Sequence, residues 1–176
     1  MKIKQLPLII CTLIIVFIAL YSLPLKKHIG LVVNGVQWKI DNENYSEKTS
    51  IAIKGTYNSY LLKKDTFNGN IIIDLYDFTN NSLPLNITFD DGIGNLIYVD
   101  KDNPSNTNSL GFLISTSNFD KLLIGVNTPV KSDSQMWSSE NGLIISGTAE
   151  NREEALELAK LLSQKSKWLS NGSFLK

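Results

Sequence analysis

The sequence predicts an α+β protein: a mainly antiparallel β-sheet or small barrel of about eight strands with one C-terminal amphipathic helix, preceded by an N-terminal transmembrane helix. Three observations carry this. An apolar run opens the chain, period-two patterning dominates residues 31 to 148, and the period becomes helical after Asn151. Strands in a run followed by a single helix are the mark of α+β architecture with an antiparallel sheet.

The opening run extends from Leu6 to Leu25, between Met1-Lys2-Ile3-Lys4-Gln5 and Lys26-Lys27-His28. Twenty helical residues span about 30 Å, the thickness of a bilayer's hydrocarbon core. Residues 6–25 are therefore expected to cross the membrane, within an anchor of residues 1–28 that precedes a single domain over residues 29–176. A cleaved signal peptide needs small residues at its exit, and Leu20 occupies one of those positions before Ser22. A lipidated cysteine follows the apolar run, whereas Cys11 lies inside it, after Ile10. The anchor is thus expected to stay uncleaved. Lys2, Lys4 and the terminal amine nearly balance Lys26 and Lys27, so the positive-inside rule discriminates weakly. The short charged head is the shape of an exported chain. It predicts a single-pass protein of the cell membrane with an extracytoplasmic domain.

No cysteine follows Cys11, which excludes a disulfide, a thiolate metal site or a catalytic thiol in the domain. The domain is long enough to bury a core without such staples. Outside Lys2, Lys4, Lys26 and Lys27, thirteen Lys and Arg face seventeen Asp and Glu. No basic stripe remains, which excludes nucleic acid as a partner and gives no reason for contact with anionic lipid beyond the anchor's own flank.

The strands follow in order. Leu31-Val32-Val33 and Val36 to Ile40 flank Asn34-Gly35, a pair suited to a two-residue hairpin turn because both positions tolerate positive φ. Val36, Trp38 and Ile40 share one face. Ile51, Ile53 and Tyr57 alternate with Ala52, Lys54 and Thr56. Ile71 to Phe78 looks like a central strand, interrupted by Asp74 and Asp77. Leu85-Ile87-Phe89 faces Leu96 to Val99 across Asp90-Asp91-Gly92, and Leu110-Phe112-Ile114 faces Leu122-Ile124-Val126 around Ser117-Asn118. Leu143-Ile144-Ile145 forms the last strand.

Asn151-Arg-Glu-Glu154 then reads as an N-cap with Glu three residues on, close to a capping box. Ala155, Leu158, Ala159 and Leu162 recur at helical spacing, and Leu156 and Leu161 widen the stripe. The helix is expected over about 151–168, with Lys165 and Lys167 favouring its C-terminus. It must lie on the sheet.

An up-and-down barrel with a helix packed outside resembles the calycin (lipocalin-like) architecture. Gly35-Val-Gln-Trp38 is one residue longer than the Gly-x-Trp of that family's first strand. The resemblance implies a cavity for a small apolar ligand. Asp65-Thr-Phe-Asn-Gly69 and Asn151-Arg-Glu-Glu-Ala155 look like phrases from small membrane-anchored proteins of Gram-positive bacteria, a likeness that brings no residue roles.

Candidate chemistry is sparse. His28, the sole histidine, stands beside the anchor, which disfavours a general base. Zinc wants several Cys or His ligands. Paired carboxylates run glycoside hydrolysis, but Asp74 and Asp77 are three apart and point to opposite faces of a strand. Asp90-Asp91-Gly92 and Asp100-Lys-Asp102 read as turns. Pro104 stands where an Asp100-headed calcium loop needs a third ligand. Gly92-x-Gly94 lacks the rest of a dinucleotide loop. No catalytic, cofactor or metal residue is assigned. Trp38 fits the core by alternation, Trp168 fits core or domain edge, and Trp137 in its polar loop is the candidate partner contact. The expected function is a non-enzymatic, membrane-tethered domain binding an envelope protein, a peptide or a small apolar ligand. A carboxylate-dependent hydrolase and an immunity-like accessory factor are the alternatives.

Overall fold

The computed structural model describes residues 6–131, 134–164, 166 and 169. Its first element, helix α1 (Leu6–Ser22), is shorter than the expected span of 6–25. Pro24 ends it, because the residue before a proline is driven out of helical geometry and proline itself offers no N–H. Seventeen residues reach about 26 Å, and among the described residues no helix is long and apolar enough to cross a membrane. Strand structure resumes at Leu25, inside the segment assigned to the anchor.

Ten strands follow: β1 (Leu25–Lys39), β2 (Asn42–Ser59), β3 (Thr66–Ile73), β4 (Leu85–Thr88), β5 (Ile93–Val99), β6 (Thr107–Ser115), β7 (Leu122–Val126), β8 (Thr128–Lys131), β9 (Ser134–Met136) and β10 (Leu143–Gly147). Helix α2 (Arg152–Ser163) follows β10. Eight strands form one antiparallel sheet in the order β4-β3-β2-β1-β10-β7-β6-β5, while β8 and β9 make a separate hairpin. The two ends of that order, β4 and β5, are consecutive in sequence. The turn at Asp90–Ile93 joins them at one end of the barrel. At the other end Leu83 N–H donates to the Val99 carbonyl and Lys101 N–H to that of Asn81. The sheet therefore curls into an up-and-down, nearly closed barrel, in which the first strand pairs with the last.

Asn34-Gly35 is not a turn. Both residues lie inside β1, paired with Ser50 and Thr49 of β2, and neither has positive φ. Gly35 instead permits close approach: it faces Gly147 of β10, and a Cβ there would stand 3.0 Å from the Ser146 carbonyl oxygen. The β1–β2 turn is Ile40-Asp41, next to a bulge at Trp38/Lys39. Asp91-Gly92 is the Asx-Gly pair that does turn the chain, with φ of 48° and 78°.

The proposed strand through Phe78 ends at Ile73. Asp74 to Thr79 is a turn and a short 3-10 helix, fixed by the Thr79 hydroxyl, which donates to the Tyr76 carbonyl and accepts from Ile73 N–H. In β6 a bulge breaks the expected face: Leu96 pairs Gly111 but Ile97 pairs Ser109. Leu110 and Leu113 then point into the barrel, and Phe112 and Ile114 point out. Gly111 occupies the bulge at φ 142°, and a Cβ there would collide with the Gly125 carbonyl oxygen.

Two apolar layers result. The barrel interior is filled by Ile51, Ile53, Phe67, Ile87, Leu113 and Phe119 among others, as expected of eight strands, whose lumen side chains just fill. The second layer lies on the outer wall, where Ala155, Leu158, Ala159 and Leu162 of α2 cover Val36, Trp38, Phe112, Leu123 and Ile144. Asn151 caps the helix by accepting from Glu154 N–H at 3.0 Å, and Glu154 in turn accepts from Glu150 N–H at 2.9 Å. The helix ends at Ser163 rather than near 168; Lys165, Lys167 and Trp168 lie outside the described residues. Leu161 is exposed, because position 161 falls off the stripe that faces the wall.

Leu162→Ala is expected to cost on the order of 2–5 kcal/mol in urea unfolding. Leu161→Ala should stay within about 0.5 kcal/mol of the parent. Equal effects at the two positions would contradict this docking of α2.

Candidate interaction surfaces

The polar groups of the barrel gather at its two mouths, and most are occupied by the fold. At the mouth nearest α1, Asp65 accepts from the Tyr57 hydroxyl at 2.5 Å and from Tyr60 N–H at 2.8 Å. The β2–β3 loop is thereby pinned to the end of β2. At the far mouth, Gln37 on the inward face of β1 donates to the Tyr45 hydroxyl at 2.8 Å and accepts from the Tyr76 hydroxyl at 2.6 Å. Tyr98 donates to the Ile71 carbonyl inside the barrel.

Several further carboxylates serve turns or ion pairs. Asp100 accepts from Asp102 N–H and Asn103 N–H, an Asx-type turn. Asp102 of the β5–β6 loop accepts from Asn81 of the β3–β4 connection, and Asp90 pairs with Lys64 at 2.8 Å. The Thr116 hydroxyl donates to Asp120 and holds that carboxyl below its usual range. Asp74 lies in the turn after β3, beside a recess shared with Asn34 and Glu150. Among the described residues no group of three His, Cys, Asp or Glu is placed to hold a metal ion. His28 sits on β1, exposed, with Nδ1 3.2 Å from the Thr56 hydroxyl.

Trp137 follows β9 and is half-buried rather than fully exposed. Its ring meets Phe112 edge-on at 5.1 Å, so it extends the layer beneath α2. Its other side borders a surface recess of about 570 Å³ with Pro129, Met136 and Ser138 to Asn141. Met136, 64% exposed, is the apolar tip of that recess.

Two surfaces escaped the sequence reading. The first is on the outer wall of β1, β2 and β3, where Val32, Ala52 and Ile72 form one cross-strand row. They floor an apolar groove of about 720 Å³. It adjoins Leu25–Val33 of β1, which pair with β2 alone because β10 reaches only Gly35–Lys39. Period-two alternation in β1 and β2 shows which residues point outward, but not that three strands align them. The second surface is the β2–β3 loop beside the end of α1, where Leu61 and Leu62 are exposed. That apolar pair between Tyr60 and Lys63 was the available signal.

Compared with protein-family models, curated proteins and solved structures, the chain matches none.

Burial raises the pKa of Tyr57, Tyr76 and Tyr98. Tyr57 is pushed up further by the hydrogen bond to Asp65 and the charge of that carboxylate. Tyr76 is pushed up to about 12, by burial first and then by Tyr45 and Glu47. A folded-state value above the unfolded value of about 10 stabilises the fold fully below that pH and loses its contribution as pH rises through the folded value. Absorbance at 295 nm should therefore show these three of the six tyrosines ionising late, with stability falling from pH about 10 upward. A single ionisation step of all six near pH 10 in still-folded protein would contradict the burial described.

Proposed function

We propose that the chain is a membrane-tethered, extracytoplasmic binding domain without catalytic activity, held at the cell envelope by α1 and engaging a protein or peptide partner on its outer wall. The single observation that carries the tether is the state of α1. Ile9, Ile10, Leu13, Ile14, Ile15, Val16, Phe17 and Ile18 are all exposed, the helix contains no charged residue, and it makes no extended contact with the barrel or α2. A helix that is apolar all round belongs in an apolar medium. Seventeen residues stand at the lower end of the range that spans a bilayer, and a bilayer thins locally to accommodate a short span.

The filled interior favours an external partner over an enclosed small ligand. Two external features suit one. The Val32–Ala52–Ile72 row adjoins a strand edge lacking a ladder partner, where an extended segment adds by main-chain hydrogen bonds. Trp137 and Met136 offer apolar contact area on the opposite side of β10. The engagement of Asp65, Asp90, Asp100 and Asp102 in turns and ion pairs supports the non-catalytic reading.

Expressed in a Gram-positive host, the full chain should sediment with membranes and resist alkaline carbonate, and deletion of residues 6–22 should release it. Protease added to protoplasts should degrade the barrel while a cytoplasmic marker survives. Full-length protein in the soluble fraction would overturn the tether, and protection until lysis would reverse the orientation.

A further inference from the structure

At the mouth nearest α1, the chain leaving the helix and the β2–β3 loop come together. Lys63 Nζ lies 4.3 Å from the centroid of the Tyr21 ring and 5.9 Å from that of Tyr60, both within cation–π reach. These residues border a shallow recess of about 930 Å³ that also contacts Phe89 and Asp91 of the β4–β5 turn. Leu61 and Leu62 line it, 71% and 50% exposed, and Leu23 and Leu25 between α1 and β1 are 69% and 80% exposed, with no described residue covering them. Leu61 and Leu62 are consecutive at a loop tip, and Leu23 and Leu25 lead directly out of α1.

We infer that residues 60–64 are a second membrane contact, in which Leu61 and Leu62 enter the headgroup–acyl boundary of the same bilayer that receives α1. This rests on the proposed tether and extends it to the barrel. Three observations favour a phospholipid surface as the occupant. The leucines continue the apolar surface of α1, joined to it through the Tyr21–Lys63–Tyr60 stack. Their neighbours are of the kind found at membrane interfaces, two tyrosines and lysines 26, 27, 63 and 64. Finally, the loop is presented in a fixed form, since Asp65 accepts from Tyr57, Ser59 and Tyr60.

The charge on the page sets the mode of binding. Lys64 is paired with Asp90 at 2.8 Å, and Asp65 and Asp91 lie close by. Little net positive charge is left, so attraction to anionic lipid is secondary and apolar insertion dominates. The barrel would then stand on the bilayer with its β2–β3 end down, leaving the Ile40-Asp41 turn and the β5–β6 loop facing away.

The test uses the full chain carrying Cys11→Ser, with one cysteine introduced by Ile14→Cys in α1, Leu61→Cys at the loop tip, or Asn103→Cys in the far β5–β6 loop. Each is labelled with an environment-sensitive fluorophore and reconstituted in phosphatidylcholine vesicles, with and without phosphatidylglycerol. Nitroxide lipids then report depth. The expected result is deep quenching at Ile14, and shallow quenching at Leu61 several-fold above that at Asn103, in both lipid mixtures. Quenching at Ile14 with Leu61 no different from Asn103 would overturn the inference and leave the tether standing. No quenching at Ile14 would overturn the tether itself and the inference with it. A blue shift at Leu61 without quenching would assign the loop to a protein contact, such as a second copy of the chain. Quenching at Leu61 that requires phosphatidylglycerol would overturn insertion in favour of electrostatic attraction.

Discussion

The structure depends on the seam between its first and last strands. β1 and β10 pair over only Gly35–Lys39 and Leu143–Gly147, yet without that pairing the sheet opens between β1 and β10. One buried hydroxyl locks the seam to the helix above it. Ser146 Oγ accepts from Trp38 Nε1 at 3.0 Å and donates to the Ala155 carbonyl at 2.8 Å, joining β1, β10 and α2. Arg152 lies over the Trp38 ring at 5.2 Å and donates to the Lys39 carbonyl. Removing the hydroxyl strands a buried indole N–H, a loss on the order of 1–3 kcal/mol.

That seam explains the division of the molecule. Where β10 covers β1, both faces of the wall are dry, the barrel interior on one side and the α2 layer on the other. Where β10 stops, Leu25–Val33 continues with β2 alone, and outward residues such as Val32 stay exposed. The filled lumen leaves the outer wall and the mouths as the open surfaces of the barrel. The same extension of β1 starts the barrel close behind α1, so the helix and the barrel are separated by two residues, Leu23 and Pro24. So short a connection keeps the β2–β3 loop near the end of α1.

Much of this was legible in the chain because local patterns and tertiary demands agree. Leu85-Ile87-Phe89, Asp91-Gly92, the strands on either side of Ser117-Asn118 and the Asn151 cap each carry their signal within a few residues. Some misreadings come from pairing partners elsewhere in the sheet, others from local breaks at Pro24 and at Thr79, whose hydroxyl turns the chain after Ile73. Asn34-Gly35 has the composition of a turn, but pairing of the whole of β1 along β2 outweighs local preference, and Gly35 is used for approach to β10. The face reversal in β6 comes from a bulge whose register is set by β5. The apolar run continued on paper through Leu25, where Pro24 and pairing with Ser59 of β2 convert it to strand. Of the interaction surfaces, Trp137 was visible as an aromatic in a polar loop, although not its packing on Phe112. The loop at Leu61-Leu62 acquires meaning only when folding brings Lys63 to Tyr21.

Native-state hydrogen exchange tests the seam most directly. If the barrel is closed by β1 and β10 and locked by α2, amides hydrogen-bonded across Gly35–Lys39 and Leu143–Gly147 should exchange only through global unfolding, with the same free energy as those between β2 and β3. Exchange of residues 143–163 at a distinctly lower free energy, while the β2–β3 ladder stays protected, would contradict the account. It would make β10 and α2 a detachable flap on an open sheet.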